Sequence, residues 1–212
     1  MDGIEAIVPK NEIKKYKEAL KDVENMFNLE LEHETYKKIF YKNINNYVCQ
    51  TESEKLKKKG FFKTRDEIPL GDSVNELVVA KALEQYFINN IPIEKVICNP
   101  DNFDLTIYDY CQSNKISKEY EVWYNQKIVQ NLNRYYFSKP APFLLKRKKN
   151  TAIKRKLNAN FEHVNVSDPV ILFNEYQKKD WEDYNINYNH YIAKARQIIN
   201  EMENPYKQLS LF

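Results

Sequence analysis

The residues of this 212-residue chain best placed to do chemistry are cations, not nucleophiles or metal ligands. There is no glycine-rich phosphate loop, no paired Cys or His at metal-ligand spacing and no Gly-flanked serine, so the common enzyme motifs do not account for the chain. His33, His163 and His190 are isolated and read as ordinary surface or packed histidines. Asp101, Asp104 and Asp109 imitate a carboxylate cluster that could hold a catalytic metal, but they lie around a turn and a Tyr-rich segment without a supporting motif.

Cations concentrate in two stretches. Lys55 to Arg65 reads KLKKKGFFKTR, and Lys146 to Lys156 reads KRKKNTAIKRK, with seven positive charges in eleven residues and none negative. The whole chain carries only +3, from 33 Lys+Arg against 30 Asp+Glu, so placement of charge, not its total, decides whether a polyanion binds. Each cluster lies next to aromatic and small residues. Neutralising phosphates in that setting releases counterions and drives binding without reading sequence. The candidate DNA contacts are therefore Lys57, Lys58, Lys59, Gly60 and Arg65 in the first cluster and Lys146, Arg147, Lys148, Lys149, Lys154, Arg155 and Lys156 in the second. Gly60 would let backbone approach a phosphate closely, and Arg134 beside Tyr135 and Tyr136 extends the set.

The elements that must position these groups are legible in the periodicity. Ile13, Tyr16, Leu20, Val23 and Phe27 recur at helical steps within Asn11 to Phe27, which predicts an amphipathic helix. Leu29, Leu31, His33 and Thr35 alternate with Glu30, Glu32 and Glu34, which predicts a strand. Two more strands are expected near Lys37 to Lys42 and Asn46 to Gln50, together forming a small antiparallel sheet covered on one side. EIPLGDS breaks the chain, and a domain boundary is expected near Pro69 to Asp72.

Ser73 and Glu76 have capping-box spacing ahead of VNELVVAKALEQYFI, an apolar run wide enough for a helix buried over much of its circumference. Pro92 fits the first turn of a short helix in IPIEKVIC, and Asn99, Pro100 and Asp101 mark a turn. Glu119 to Tyr124 and Lys127 to Ser138, joined through Asn125 and Gln126, read as a β-hairpin. Tyr188, Tyr191, Ile192, Ala195, Ile198, Ile199 and Met202 share one face of a last helix, stopped by Asn204 and Pro205. Cys49, Cys98 and Cys111 are odd in number and far apart, and neither a secretory signal nor a run of ~18 apolar residues is present. A soluble protein of a reducing, cytoplasmic compartment is expected.

The chain ends on Gln208-Leu209-Ser210-Leu211-Phe212, which resembles the pentapeptide by which bacterial replication and repair proteins dock on the β sliding clamp. Two leucines and a terminal phenylalanine can fill an apolar pocket while the Gln amide satisfies its rim. A disordered tail costs little stability to expose. The succession LELEHETYKKIFYKNINNYVCQ, KLKKKGFFKTRDEIPL and VNELVVAKALEQYFINNIPIEKVI resembles the carboxyl-terminal palm and thumb region of bacteriophage family B DNA polymerases. YEVWYNQKIVQNLNRYYFSK and FEHVN extend the likeness over most of the chain.

That resemblance implies that Tyr47 is the tyrosine of a primer-gripping Lys-x-Tyr motif; Asn45 stands where its lysine would be, and Lys42 is near enough to substitute. It implies that Lys59-Gly60 and Arg65-Asp66 belong to the palm-to-thumb passage that holds duplex. The two metal-binding aspartate motifs of the family, its exonuclease domain and its fingers helix are absent, and Met1 falls about where the second aspartate motif would have ended. The expectation is an α+β chain: palm end over 1–68, a mainly helical thumb with a hairpin over 69–203, and a clamp-binding tail over 204–212. It would be part of a split or truncated nucleotidyltransferase, with no cofactor of its own and Mg2+ held by a catalytic partner polypeptide. Its other partners would be primer-template DNA and the clamp, in the bacterial host cytoplasm and without membrane. One alternative is a stand-alone, clamp-tethered DNA-binding accessory protein. The other is an enzyme built on Asp101, Asp104 and Asp109.

Overall fold

The computed structural model describes residues 6–68, 75–149, 160–164 and 168–203. The chain is mixed α+β, with three small antiparallel sheets among the described residues. By contacts it divides into two units, 1–36 and 37–212.

In the first unit, Ile13–Phe27 forms helix α1 on the periodicity expected of it, preceded by a 3-10 turn at Lys10–Glu12. None of its residues is buried. Asn28 ends the helix in the left-handed conformation, φ 49°, with its N–H donating to the Glu24 carbonyl, as expected of a small polar residue at a helix stop. The strand expected over Leu29 to Thr35 does not form. The backbone N–H of Leu31 donates to the Glu24 carboxylate at 2.8 Å, so the side chain of the helix before it takes a donor that a ladder would need.

From β1 (Tyr36–Asn43), all but its first residue in the second unit, the chain continues to β2 (Asn46–Thr51) and β3 (Leu56–Lys59), a three-stranded sheet in the order β1-β2-β3. Helix α2 (Leu77–Asn89) buries Leu77 to Ala80, Ala82 to Glu84, Phe87 and Ile88, the broad burial that its apolar run predicts. The capping box expected at its start is not seen: Ser73 lies outside the described residues, and Glu76 is a buried, left-handed residue that does not cap the helix. Its carboxylate turns to His190 and Lys194 instead. Asn90 closes α2 in the left-handed conformation, and α3 (Ile93–Ile97) follows with Pro92 at its N-cap. The turn expected at Asn99 is a 3-10 segment, Pro100–Phe103, which leads to the short helix α4 (Ile107–Tyr110).

Strand β4 (Gln112–Lys115) pairs with β7 (Leu132–Phe137), and β7 also pairs with β10 (Val170–Leu172). A four-stranded sheet runs β6-β5-β8-β9, from β5 (Tyr120–Tyr124), β6 (Lys127–Val129), β8 (Leu144–Lys148) and β9 (Glu162–His163). The expected hairpin forms between β5 and β6, with Asn125 and Gln126 both at positive φ, 47° and 62°, as its two-residue turn requires. Its second arm stops at Val129. Asn131 then donates to the carbonyls of Ser117 and Tyr120, and β7 leaves for the other sheet.

Helix α5 (Tyr188–Glu203) buries Tyr191, Ala195, Ile198 and Ile199 on the face read from sequence. One core joins Val48 and Phe62 to α2, α3, β7 and α5. Within it the Tyr191 hydroxyl accepts from the Phe137 N–H and donates to the Tyr110 carbonyl, and the Tyr110 hydroxyl donates to the Ile97 carbonyl. Three helices, α3, α4 and α5, and strand β7 are thereby tied together by tyrosines whose polar tips are satisfied in the interior. The three cysteines are free. No helix among the described residues is long and apolar enough to cross a membrane.

Candidate nucleic-acid interface

Alternation along β2 and β3 sorts the first basic cluster by face. Val48 pairs with Lys58, while Tyr47 pairs with Lys59 and Cys49 with Lys57. The Val48 side of the ladder faces α2: Val48 is fully buried there, and the Lys58 ammonium lies 3.0 Å from Glu84 of α2, 3.2 Å from Glu67 and 3.2 Å from Thr64. The Lys58 side chain is only 10% exposed and Glu84 4%, so this lysine belongs to an internal ion pair. Burial pushes the Glu67 carboxyl up, but two bonds from Thr64 and the Lys58 charge outweigh it and hold the pKa below the ordinary value. Tyr47, Lys57 and Lys59 share the opposite face, with Lys59 exposed. The Tyr47 ring meets Tyr41 edge to face at 5.7 Å.

Gly60 has φ +61°, and a Cβ there would drive into the Asn45 carbonyl and the Asn46 carboxamide. The close approach that glycine permits here is to the β1–β2 turn of its own fold. Asn46 donates to Asn43 and accepts from the Phe61 N–H, both at 2.8 Å, which clamps that turn onto the end of β3. Asn45 sits in the same turn, its N–H on Asn43. Lys42 pairs with Glu201 of α5 at 3.2 Å. Arg65, half exposed, pairs with the buried Asp109 and donates to Thr106 at 3.0 Å. Asp109 also caps α4 through the Thr106 N–H, so Arg65 neutralises a carboxylate the fold already uses.

The other candidates lie on the remaining sheets. Arg134 projects from β7 over the Tyr108 ring at 5.1 Å, and Tyr108 stacks on Tyr176. On β8, Lys146 pairs with Glu162 at 3.5 Å and lies over Tyr120. Arg147 donates to Glu121 at 2.8 Å, and Lys148 and Lys149 are exposed. The Arg147 bond, more than any other influence, holds the Glu121 carboxyl below its ordinary value. Lys154, Arg155, Lys156 and the pentapeptide Gln208, Leu209, Ser210, Leu211 and Phe212 lie outside the described residues.

Among the described residues the sequence-predicted cations are thus distributed over three sheets and the 3-10 turn at Arg65–Glu67, and Tyr47, Lys57 and Lys59 share one face of the β2–β3 ladder. Sequence reasoning missed the acids that engage Lys42, Lys58 and Arg65, because each comes from a distant element. It also missed a second polar cluster, in which Glu76 bonds His190 at 3.3 Å, His190 bonds Asp168 at 2.9 Å and stacks on Phe137, and Lys194 pairs with Glu76. Burial pushes Glu76 up, but the His190 bond and the Lys194 charge together leave it below the ordinary carboxylate value.

Asp101 accepts from the Trp181 indole at 2.8 Å, Asp104 closes the 3-10 turn in the left-handed conformation, and Asp109 caps α4. No group of three or more His, Cys, Asp or Glu that could hold a metal occurs among the described residues. Comparison with protein-family models, curated proteins and solved structures returned no match.

Proposed function

We propose that this chain is the palm end and thumb of a split or truncated bacteriophage-type family B DNA polymerase, which holds primer-template duplex and tethers the assembly to the bacterial β sliding clamp. The observation that carries this reading is the Tyr47–Lys59 cross-strand pair. The tyrosine of the gripping motif and the lysine of the Lys-Gly element, twelve residues apart in sequence, are direct neighbours on one sheet face. A phenol and an ammonium so placed can hold successive phosphates of one strand.

The partner polypeptide supplies the catalytic aspartates and the Mg2+ they bind; phosphoryl transfer is its task. This chain restrains the product duplex and, through Gln208 to Phe212, turns rebinding into an intramolecular event. Lys57 and Lys59 supply charge on the duplex side, whereas Lys58 and Arg65 stabilise the platform from which they project.

The test is equilibrium binding of the full chain to primer-template duplex and, separately, to purified clamp. Deleting Gln208 to Phe212 should abolish clamp binding and leave duplex binding unchanged. Lys59→Glu should weaken duplex binding by about ten-fold, in keeping with the loss of one phosphate contact and the gain of a repulsive one. Clamp binding that survives the deletion, or duplex binding indifferent to Lys59, would contradict the reading.

A further inference from the structure

The four-stranded sheet has an outer face of unexpected composition. Its register places Ile128, Trp123, Leu145 and His163 in one row across β6, β5, β8 and β9, with Glu121 and Arg147 paired in the next row. A solvent-facing sheet surface ordinarily alternates to polar residues. Here Ile128 is 59% exposed, and Phe161 and Phe143, which flank β9 and β8, are 48% and 41% exposed.

Phe161 meets Trp123 at 5.6 Å, and Phe143 meets His163 at 5.0 Å. The Arg147 guanidinium lies over both Trp123 and Phe161, at 5.1 and 5.2 Å. Glu121 holds it there and also accepts from the Trp123 indole. The opposite face carries Val122 and Leu144 into the core, so the aromatic row is not needed to close the interior.

We infer that this face is a stacking platform for the unpaired bases of single-stranded DNA. Rings and a guanidinium plane set side by side present π-faces to successive bases, and every base has a π-face to return. Charge is complementary through the exposed Lys149, just beyond β8, while Arg147 on the face contributes its guanidinium plane. Glu121 is the acid of the row, and Arg147 already neutralises it. The apolar row is one side chain wide and bordered by an ion pair, a strip and not the patch of ~800 Å2 per partner that a stable protein dimer buries.

Single-stranded DNA is the occupant named because stacking on rings requires no 2′-hydroxyl; Ile128 and Leu145 have no group to read one, the indole N–H is engaged, and His163 is the polar edge of the row. The inference rests on this face alone and does not depend on the polymerase reading.

The test uses the full chain with a dye-labelled thymidine 20-mer and a blunt duplex of equal length. Phe161→Ala, at an exposed ring, should weaken single-strand binding by about ten-fold while changing duplex affinity by less than about two-fold. In a Trp181→Phe background, which leaves Trp123 as the single indole of the two in the chain, the thymidine strand should quench fluorescence and Phe161→Ala should diminish the quench.

Equal loss for single strand and duplex, or no loss for either, would overturn the platform and leave the neighbouring lysines as the binding determinant. A self-associated chain that Phe161→Ala dissociates, without any quench by DNA, would overturn it in favour of a second copy. Tighter binding of a uridine RNA strand would overturn the choice of DNA.

Discussion

The β1-β2-β3 sheet and the β6-β5-β8-β9 sheet are both rich in cations in sequence, yet they use them in opposite ways. In the first and the 3-10 turn that follows it, Lys58, Lys42 and Arg65 are drawn to Glu84, Glu201 and Asp109 of later helices, and Lys57 and Lys59 lie on the face opposite Lys58. In the second, Arg147 is held by a neighbour on its own sheet and laid flat over exposed rings. A basic run therefore has two fates, internal cement or outward contact. The distant acids decide between them.

The largest effect that separates the two fates is expected at the internal pair. Lys58→Ala takes from Glu84, which is 3% exposed, its more buried cation and leaves it Lys81 at 3.1 Å, and should cost about 1–3 kcal/mol of stability in urea unfolding. Lys59→Ala, one residue away and exposed, should stay within about 0.5 kcal/mol. Equal costs would erase the distinction between the faces.

Gly60→Ala comes next. It places a Cβ against the Asn45 carbonyl at φ +61°, and should lose about 2 kcal/mol or more from the left-handed conformation and the clash together. A fully stable Gly60→Ala that loses only DNA binding would instead assign the glycine to phosphate approach.

Acid sharpens the same contrast. The carboxyl of Glu76 lies below its unfolded value because His190 and Lys194 outweigh its burial. A depressed folded pKa gives stability that is complete above the unfolded value, near ~4.3, and is lost as pH falls through the lower folded value. The urea midpoint should therefore drop as pH falls below about 4, and Glu76→Gln should flatten that dependence. The smallest effect on stability is expected on the outer face of the four-stranded sheet. Phe161→Ala should leave the urea midpoint almost unmoved, within about 0.5 kcal/mol.

The helices were legible in sequence because α1, α2 and α5 carry their own periodicity and the information is local. Leu29 to Thr35 carries an equally clear period of two and is no strand, because alternation cannot show that Glu24 takes the Leu31 N–H. Lys127 to Ser138 reads as one arm of a hairpin, yet β7 leaves after Asn131 for partners on β4 and β10 that no local pattern names.

The site divides in the same way. That Lys58 and Lys59 point to opposite faces follows from strand geometry alone. Which of them turns inward depends on Glu84, 26 residues later. The aromatic platform left a faint trace, Trp and Glu at alternate positions of YEVWY, but Phe161 reaches it only through the β8–β9 pairing.

The most direct test of the account is an anisotropy titration of the full chain against a primer-template duplex with a single-stranded template extension, comparing Lys59→Glu with Phe161→Ala. The account predicts that Lys59→Glu weakens binding to the duplex portion and that Phe161→Ala removes only the added affinity of the extension. Loss of both by either variant, or of neither by both, would contradict it.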